Sequence, residues 1–286
     1  MALNLRARTL WRSASNVTAS PRVFSQAPQW TRRYTTPASN RTAIVTGSSR
    51  GIGKAIALRL AHDGYDVCIN DVEANKSGAE EVVKEIQALG RKAFAHTADV
   101  SNLKEVEGLV QASVSKLGPL STMVANAGIA QVKALLDLTE HDLKRMFEVN
   151  VFGVYNCYST AAKQMISQGT GGKILGATSI VAFKPFPLLS HYSASKWAVR
   201  GLTQAFAMEM ATHKITVNAY APGIKLGETT GAKKGDTIKK YTQDLIALSR
   251  TSVPEDVCGT VSFLCSKDSD YMTGQNIVID GGIIFT

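Results

Sequence analysis

The chain has 286 residues, of which 44% are hydrophobic, and its formal net charge is +9. This length accommodates one large α/β domain or two small ones, and no run approaches the ~20 apolar residues of a transmembrane helix. The four cysteines, Cys68, Cys157, Cys258 and Cys265, form no CxxC pair, which argues against a metal site and favours reduced, buried thiols.

Residues 1–40 differ in composition from the rest of the chain. They contain six arginines and no lysine, aspartate or glutamate, so the remaining residues carry a net charge of only +3. That mild charge gives no indication of a nucleic-acid partner. An acid-free segment rich in arginine, serine and threonine predicts a disordered mitochondrial transit peptide, with a matrix location and a mature start within 34–40. The alternative is a basic tail without targeting function on a cytoplasmic protein.

Strands and helices alternate from residue 41 to the end. The predicted strands cover 42–47, 66–71, 92–98, 120–126, 173–179, 215–220 and 275–280. The predicted helices cover about 52–62, 75–89, 102–117, 139–167, 190–212 and 254–266, the fourth with a break or kink near 150–153. Apolar strands alternating with helices are typical of a parallel sheet covered on both faces. The sequence therefore predicts one α/β domain over 41–286, a Rossmann-type doubly wound parallel β-sheet.

A glycine-rich turn, TGSSRGIG at 46–53, separates the first predicted strand from the first helix. Glycines there allow a tight turn whose backbone N–H groups approach a pyrophosphate at the helix N-terminus. The spacing is GxxxGxG rather than the common GxGxxG, but the strand–turn–helix context favours a nucleotide site. The candidate cofactor-binding residues of the turn are Gly47, Ser49, Arg50, Gly51, Ile52 and Gly53.

Asp71 ends the second predicted strand and bears on the choice of nucleotide. A carboxylate there can accept hydrogen bonds from the adenine ribose hydroxyls and repels a 2′-phosphate, which favours NAD(H). Arg50 favours NADP(H), because a guanidinium in the turn could bind that phosphate. We give Asp71 the greater weight and keep NADP(H) as the alternative.

Tyr192 and Lys196 lie four residues apart in the predicted helix 190–212, and Ser179 ends the preceding strand. The helical spacing puts the phenol and the ammonium on one face, one turn apart. A cation at roughly 4 Å in an effective dielectric of about 20 could bring the pKa of the phenol from ~10 to roughly 7. The pair therefore predicts a general acid/base that acts near neutral pH.

Three apolar residues, Phe183, Phe186 and Leu189, lie between Ser179 and Tyr192. They fit the wall of a substrate pocket and fit a core position equally well. Because no arginine or lysine clamp for a carboxylate is visible in this stretch, a small, neutral ketone or diketone fits best.

Further motifs follow in a fixed order along the chain. They are DV at 99–100, NAG at 126–128, Asn150, YSASK at 192–196, PG at 222–223 and DGG at 280–282. Together with the glycine turn and Ser179, they resemble the short-chain dehydrogenase/reductase family over residues 41–286. The stretch from His191 to Ile224 is most similar to the acetoin (diacetyl) reductase and 2,3-butanediol dehydrogenase branch.

The resemblance implies an NAD(P)-dependent oxidoreductase and a role for each matching residue. Tyr192 would be the acid in reduction and the base in oxidation, and Lys196 would hold the nicotinamide ribose and lower the pKa of Tyr192. Ser179 would bind the substrate oxygen, and Asn150 would anchor a water that relays protons to Lys196. Further cofactor contacts would come from Asp99, Val100, Asn126, Ala127, Gly128, Pro222, Gly223 and Ile224. The resemblance also implies a homotetramer built through helices 139–167 and 190–212.

The sequence departs from the family directly after Ile224. The family continues with a threonine that contacts the nicotinamide, followed by a lid helix, whereas here no threonine occurs within four residues and the segment looks short. Either the lid is shortened and turnover is impaired, or the gene model omits residues and the encoded enzyme is ordinary.

Three hypotheses follow from these residues. The first is a reductase of small ketones such as acetoin or diacetyl. The second is a 3-oxoacyl-thioester reductase, which would favour NADPH. The third is a cofactor-binding protein that lost turnover with its lid.

Overall fold

A computed structural model describes residues 41–223 and 245–286. Its single sheet has seven strands: β1 (Arg41–Thr46), β2 (Tyr65–Asp71), β3 (Ala93–Thr97), β4 (Leu120–Ala125), β5 (Gly172–Ala177), β6 (Ile215–Pro222) and β7 (Asn276–Ile279). All neighbouring strands pair in parallel, in the order β3-β2-β1-β4-β5-β6-β7. The predicted doubly wound parallel sheet is therefore confirmed.

The described helices are α1 (Gly51–His62), α2 (Lys76–Ala88), α3 (Leu103–Leu117), α4 (Glu140–Phe147), α5 (Gly153–Gln168), α6 (Ser190–Met210) and α7 (Pro254–Cys265). The long helix predicted over 139–167 is two helices, α4 and α5, joined by a π-helical turn over Glu148–Phe152. Thr139 starts α4 because its hydroxyl accepts a hydrogen bond from the Asp142 N–H at 3.2 Å, and the Asp142 carboxylate accepts one from the Thr139 N–H at 2.9 Å.

The apolar strands are explained by a core on each face of the sheet. Along β4, Met123 packs into the core beneath α3, α5 and α6, whereas the next residue, Val124, packs into the core beneath α1, α2 and α7. Successive side chains of a strand point to opposite faces, so a sheet covered on both sides needs apolar residues without interruption.

The strand order reverses between β1 and β4, and this reversal positions the site. The chain runs outward from β1 to β3 and then crosses back to β4 on the other side of β1. In open α/β sheets, ligands bind at the carboxyl ends of the strands where such a reversal opens a crevice. The glycine turn follows β1 and the NAG motif follows β4, so both lie at this crevice.

Two predictions fall outside the described residues: the transit peptide within 1–40, and the segment from Ile224 onward with its lid. Within 41–223 and 245–286, no helix combines the length and the apolar character that crossing a bilayer requires.

Candidate active site

The glycine turn after β1 depends on residues without side chains. Gly47 and Gly51 have φ of +60° and +59°, in the left-handed region that favours glycine. A β-carbon on Gly53 would overlap the Gly47 carbonyl oxygen, and one on Gly47 would lie 2.8 Å from the Ala127 Cα. The turn therefore closes tightly against the residues after β4, with the N-terminus of α1 at the crevice.

Asn126 holds this turn in place. Its amide nitrogen donates hydrogen bonds to the Thr46 and Gly47 carbonyls, at 2.9 and 3.0 Å. Its amide oxygen accepts a hydrogen bond from the buried Tyr220 hydroxyl at 3.0 Å. Both amide hydrogens of Asn126 are thus used within the protein, so its side chain organises the crevice rather than offering a donor to a ligand.

Asp71 links the end of β2 to the same turn. Its carboxylate accepts hydrogen bonds from the Ser49 N–H (3.2 Å), the Ser49 hydroxyl (2.5 Å), the Val72 N–H (2.9 Å) and the Asn75 side-chain amide (2.8 Å). Since a carboxylate offers about four acceptor sites, these partners use most of its capacity. What Asp71 presents to the crevice is chiefly its negative charge.

A groove of about 260 Å³ runs along this edge of the sheet. The predicted cofactor-binding residues that line it are Gly47, Arg50, Asp71, Asp99, Val100, Asn126, Ala127 and Gly128. Sequence analysis missed Asn70 and Arg145, which line it as well. The Asn70 side-chain oxygen is buried and accepts no hydrogen bond from any described residue. Its position directly before Asp71 at a strand end was the one signal available in the sequence.

Asp99 and Val100 also line the groove. Asp99 accepts hydrogen bonds from the Ser101 N–H at 2.9 Å and the Ser101 hydroxyl at 2.7 Å, and Arg145 lies 3.7 Å away. Burial alone would raise the pKa of Asp99, but these interactions outweigh it and lower the pKa. A β-carbon on Gly153 would lie 2.7 Å from a Val100 methyl group, so α5 packs closely here.

Asn150 lies in the π-helical turn and is fully buried. Its side-chain oxygen accepts a hydrogen bond from the Ile129 N–H at 2.8 Å, and its amide donates to the Ile129 carbonyl at 2.9 Å and the Ser195 hydroxyl at 3.1 Å. The Ser195 hydroxyl in turn donates to the Tyr192 carbonyl at 2.7 Å. The irregular turn thus connects the loop after β4 with the backbone of α6.

The structure brings Ser179, Tyr192 and Lys196 together beside Asn150. The buried Lys196 ammonium donates a hydrogen bond to the Ala177 carbonyl at 2.8 Å and lies 5.7 Å from the centroid of the Tyr192 ring. The Ser179 side chain lies close enough to the Tyr192 phenol to lower its pKa. All four predicted catalytic residues therefore converge where β5 ends and α6 begins.

Gly128 connects this cluster with the groove. A β-carbon on Gly128 would lie 3.4 Å from the Lys196 ammonium and 3.2 Å from the Asn150 side-chain oxygen. Gly128 also lines the groove. Gly128 therefore borders both the groove and the cluster of predicted catalytic residues.

The pKa values of Lys196 and Tyr192 shift in ways that the sequence analysis did not predict. Burial lowers the pKa of Lys196 to about 8. Burial raises the pKa of Tyr192 above its usual value, and the nearby Ser179 side chain only partly opposes that shift. The prediction that the Lys196 charge brings the phenol to a pKa near neutrality is therefore wrong for this arrangement, because desolvation of the phenolate dominates.

The predicted substrate residues lie between β5 and α6. The Arg200 guanidinium stacks on the Phe183 ring, 4.1 Å from its centroid, and donates a hydrogen bond to the Ala182 carbonyl at 3.1 Å. Phe183, Phe186 and Leu189 are half-buried, and none of them lines the 260 Å³ groove. Their contact with substrate stays a prediction.

Pro222 ends β6, and Gly223 follows it next to the last strand. The Gly223 N–H donates a hydrogen bond to the Ile279 carbonyl at 2.9 Å, and a β-carbon on Gly223 would lie 2.7 Å from the Asp280 Cα. The PG and DGG motifs are therefore neighbours. Among the described residues, no group of three or more His, Cys, Asp or Glu could hold a metal ion.

Comparison with known proteins agrees with this geometry. The short chain dehydrogenase family matches residues 41–237. A short-chain dehydrogenase/reductase of Armillaria gallica is 46% identical over 258 residues, 88% of this chain and 98% of the relative. The L-2,3-butanediol dehydrogenase of Corynebacterium glutamicum is 43% identical, with 86% and 99% covered. The crystal structure of acetoin dehydrogenase from Enterobacter cloacae matches with a TM-score of 0.76 at 34% identity, covering 86% of this chain and 96% of that one. The chain belongs to the short-chain dehydrogenase/reductase family and is an oxidoreductase of alcohol and ketone groups that works with NAD(P).

Proposed function

We propose that the protein interconverts a small neutral ketone or diketone and its secondary alcohol, of the acetoin/diacetyl type, with Tyr192 as the acid and base. The observation that carries this proposal is the Ser179–Tyr192–Lys196 cluster, next to which Gly128 both lines the groove and approaches the Lys196 ammonium. Similarity to a butanediol dehydrogenase and an acetoin dehydrogenase supports the substrate class.

The groove suits a dinucleotide. The glycine turn offers backbone N–H groups and the N-terminus of α1 to a pyrophosphate, and Asn70, which pairs with the last residue of β1, lines the groove beside this turn. When bound, the nicotinamide supplies or accepts the hydride. Asn126 contributes indirectly, through the shape of the turn that it holds.

The protein's own residues manage the proton and the developing charge. The hydroxyls of Ser179 and Tyr192 offer two donors to the carbonyl oxygen, which becomes negative as the carbon is reduced. Because burial raises its pKa, Tyr192 carries its proton at neutral pH, the form that a general acid requires. Lys196, with a pKa of about 8, is mostly cationic at pH 7 and stabilises the phenolate left behind. In this proposal, Asn150 anchors a water molecule that relays a proton back to Lys196.

NAD(H) is the favoured nucleotide in this proposal, and NADP(H) is the alternative. Four protein donors already occupy Asp71, so its charge, rather than hydrogen bonds to the ribose, supports the preference. That charge repels a 2′-phosphate. Arg50, at the same end of the groove, is the group that would favour the phosphate.

We further propose that the protein is a homotetramer and that it is located in the mitochondrial matrix. Phe152, which ends the π-helical turn, Tyr155 on α5 and Trp197 on α6 are 47–56% exposed although they are large and apolar. Exposed aromatic groups on these helices support association between copies. Sedimentation of the full chain tests the assembly, and import into isolated mitochondria tests the location.

Oxidation of NADH and NADPH, followed by absorbance with diacetyl, acetoin and a 3-oxoacyl thioester, tests the reaction. Tyr192→Phe should lower kcat for the ketone by about 1,000-fold or more. Cofactor binding, measured by fluorescence, should persist. Turnover of the thioester alone would favour the 3-oxoacyl-thioester reductase, and binding without any turnover would favour the cofactor-binding protein. Retained activity in the variant would remove Tyr192 from its assigned role.

A further inference from the structure

A chain of hydrogen bonds begins at His191, directly before Tyr192, and none of the roles above uses it. The His191 Nε2 atom lies 2.9 Å from the Gln131 side-chain oxygen. The Gln131 amide nitrogen donates to the Asp142 carboxylate at 3.0 Å. The chain thus connects the first turn of α6 with the loop after β4 and with the first turn of α4, and His191 is almost fully buried.

The chemistry of the three groups fixes the direction of these hydrogen bonds. An ionised carboxylate only accepts, so Gln131 must present its nitrogen to Asp142 and its oxygen to His191. His191 must then donate through Nε2, which the neutral Nε2–H tautomer and the imidazolium can both do. Its Nδ1 atom is buried and has no partner among the described residues. An imidazolium would bury a second N–H without an acceptor, at a cost in stability.

Further hydrogen bonds hold the Asp142 carboxylate at the end of this hydrogen-bond chain. The carboxylate accepts them from the Lys133 ammonium (2.6 Å), the Thr139 N–H (2.9 Å) and the Thr139 hydroxyl (2.7 Å). The hydrogen bond from Lys133 and those from Thr139 and Gln131 hold the pKa of Asp142 well below its usual range. The charged groups that face His191 are Asp142 and Lys133; burial has the larger effect and lowers the pKa of His191.

The loop after β4 also forms a hydrogen bond with the backbone just before α6. The Lys133 N–H donates to the Leu188 carbonyl at 2.9 Å. Leu188 has a φ of +65°, a left-handed conformation that a non-glycine residue keeps only where its surroundings hold it. Leu189, at the N-cap of α6, makes no side-chain capping hydrogen bond. The start of α6 is therefore fixed by contacts with the loop after β4 rather than by a cap of its own.

We propose that His191 and Gln131, anchored on Asp142, are positioning residues that set the Tyr192 hydroxyl against Ser179 for proton transfer. They act through the first turn of α6, and neither His191 nor Gln131 lines the groove. Their loss should therefore lower kcat and leave the KM for the nicotinamide cofactor nearly unchanged. The turnover part of this inference rests on the proposed function.

Two substitutions at His191 separate positioning from bulk. Glutamine places an N–H donor near the position of Nε2, whereas asparagine reaches only the position of Nδ1. We expect His191→Gln to retain kcat within about 3-fold, and His191→Asn and Gln131→Leu to lower it by about 10- to 100-fold, as small misplacements of catalytic groups do. His213→Asn, exposed beyond the other end of α6, is the matched control and should leave kcat unchanged.

The result that overturns the proposal is equal kcat in the glutamine and asparagine variants, or a loss that appears in the cofactor KM instead. Melting temperatures of all variants show whether each one folds. Nitrogen-15 NMR of the histidines in the full chain, with His191 assigned from the His191→Gln spectrum, should show the neutral Nε2–H tautomer. An Nδ1–H tautomer or a cation at pH 7 overturns the proposal even if the protein turns over no ketone, so the two proposals can fail separately.

Discussion

Asn126→Ala tests whether the NAG motif supports the glycine turn, as the hydrogen bonds indicate. The substitution removes the two amide hydrogen bonds to Thr46 and Gly47 and the one from Tyr220. At about 1 kcal/mol each, these contribute ~3 kcal/mol, and the Tyr220 hydroxyl, left buried without a partner, adds about 1–2 kcal/mol. The expected loss is therefore about 4–5 kcal/mol of unfolding free energy, or a fall in Tm of about 10 °C in a domain of this size.

Scanning fluorimetry at equal protein concentration measures this change. Asn75→Ala is the matched control, because Asn75 also lines the groove but donates a single hydrogen bond, to Asp71. It should lower Tm by no more than about 2–3 °C. A shift equally small for Asn126→Ala, accompanied by lost affinity for NADH, would refute the structural role and assign the Asn126 amide to the ligand.

Two other substitutions test the charges of the site. Asp71→Asn keeps the size of the side chain but removes its charge, and should raise kcat/KM for NADPH relative to NADH by about 10-fold; an unchanged ratio would mean that this charge does not select the nucleotide. Lys196→Met should abolish turnover yet raise Tm at pH 7 by about 5 °C. Because burial lowers the pKa of Lys196 from 10.5 to about 8, the unfolded chain binds more protons between these pH values. The gain in Tm from Lys196→Met should therefore shrink as pH rises above 8. A gain that does not change with pH would contradict burial of the Lys196 charge as its cause.

The fold was predictable because local signals agree with one another. Apolar strands, glycine turns and the cap at Thr139 each identify an element within two or three residues of its observed bounds. The break expected near 150–153 coincides with the π-helical turn at Glu148–Phe152. The four predicted catalytic residues were chosen through motif order, and the parallel topology explains why they meet, since strand ends and helix starts share one edge of the sheet.

What the sequence did not reveal depends on burial and on distant partners. The direction of the pKa shift of Tyr192 was wrong because the spacing to Lys196 was visible and the desolvation of the phenol was not. The partner of His191 is Gln131, sixty residues away, and no periodicity connects them. Asp71 was predicted as a ligand group, but its four protein donors become apparent only when β2 meets the glycine turn.

Through Gly128, ligand binding in the groove is linked to the protonation of Lys196. Gly128 lines the groove, and a β-carbon on it would lie 3.4 Å from the Lys196 ammonium. A ligand that places oxygen acceptors at the inner end of the groove stabilises the cation and so raises the proton affinity of Lys196. Linkage makes the effect reciprocal, so the affinity of that ligand rises as pH falls through 8. Binding is then accompanied by proton uptake, and its measured enthalpy depends on the ionisation enthalpy of the buffer.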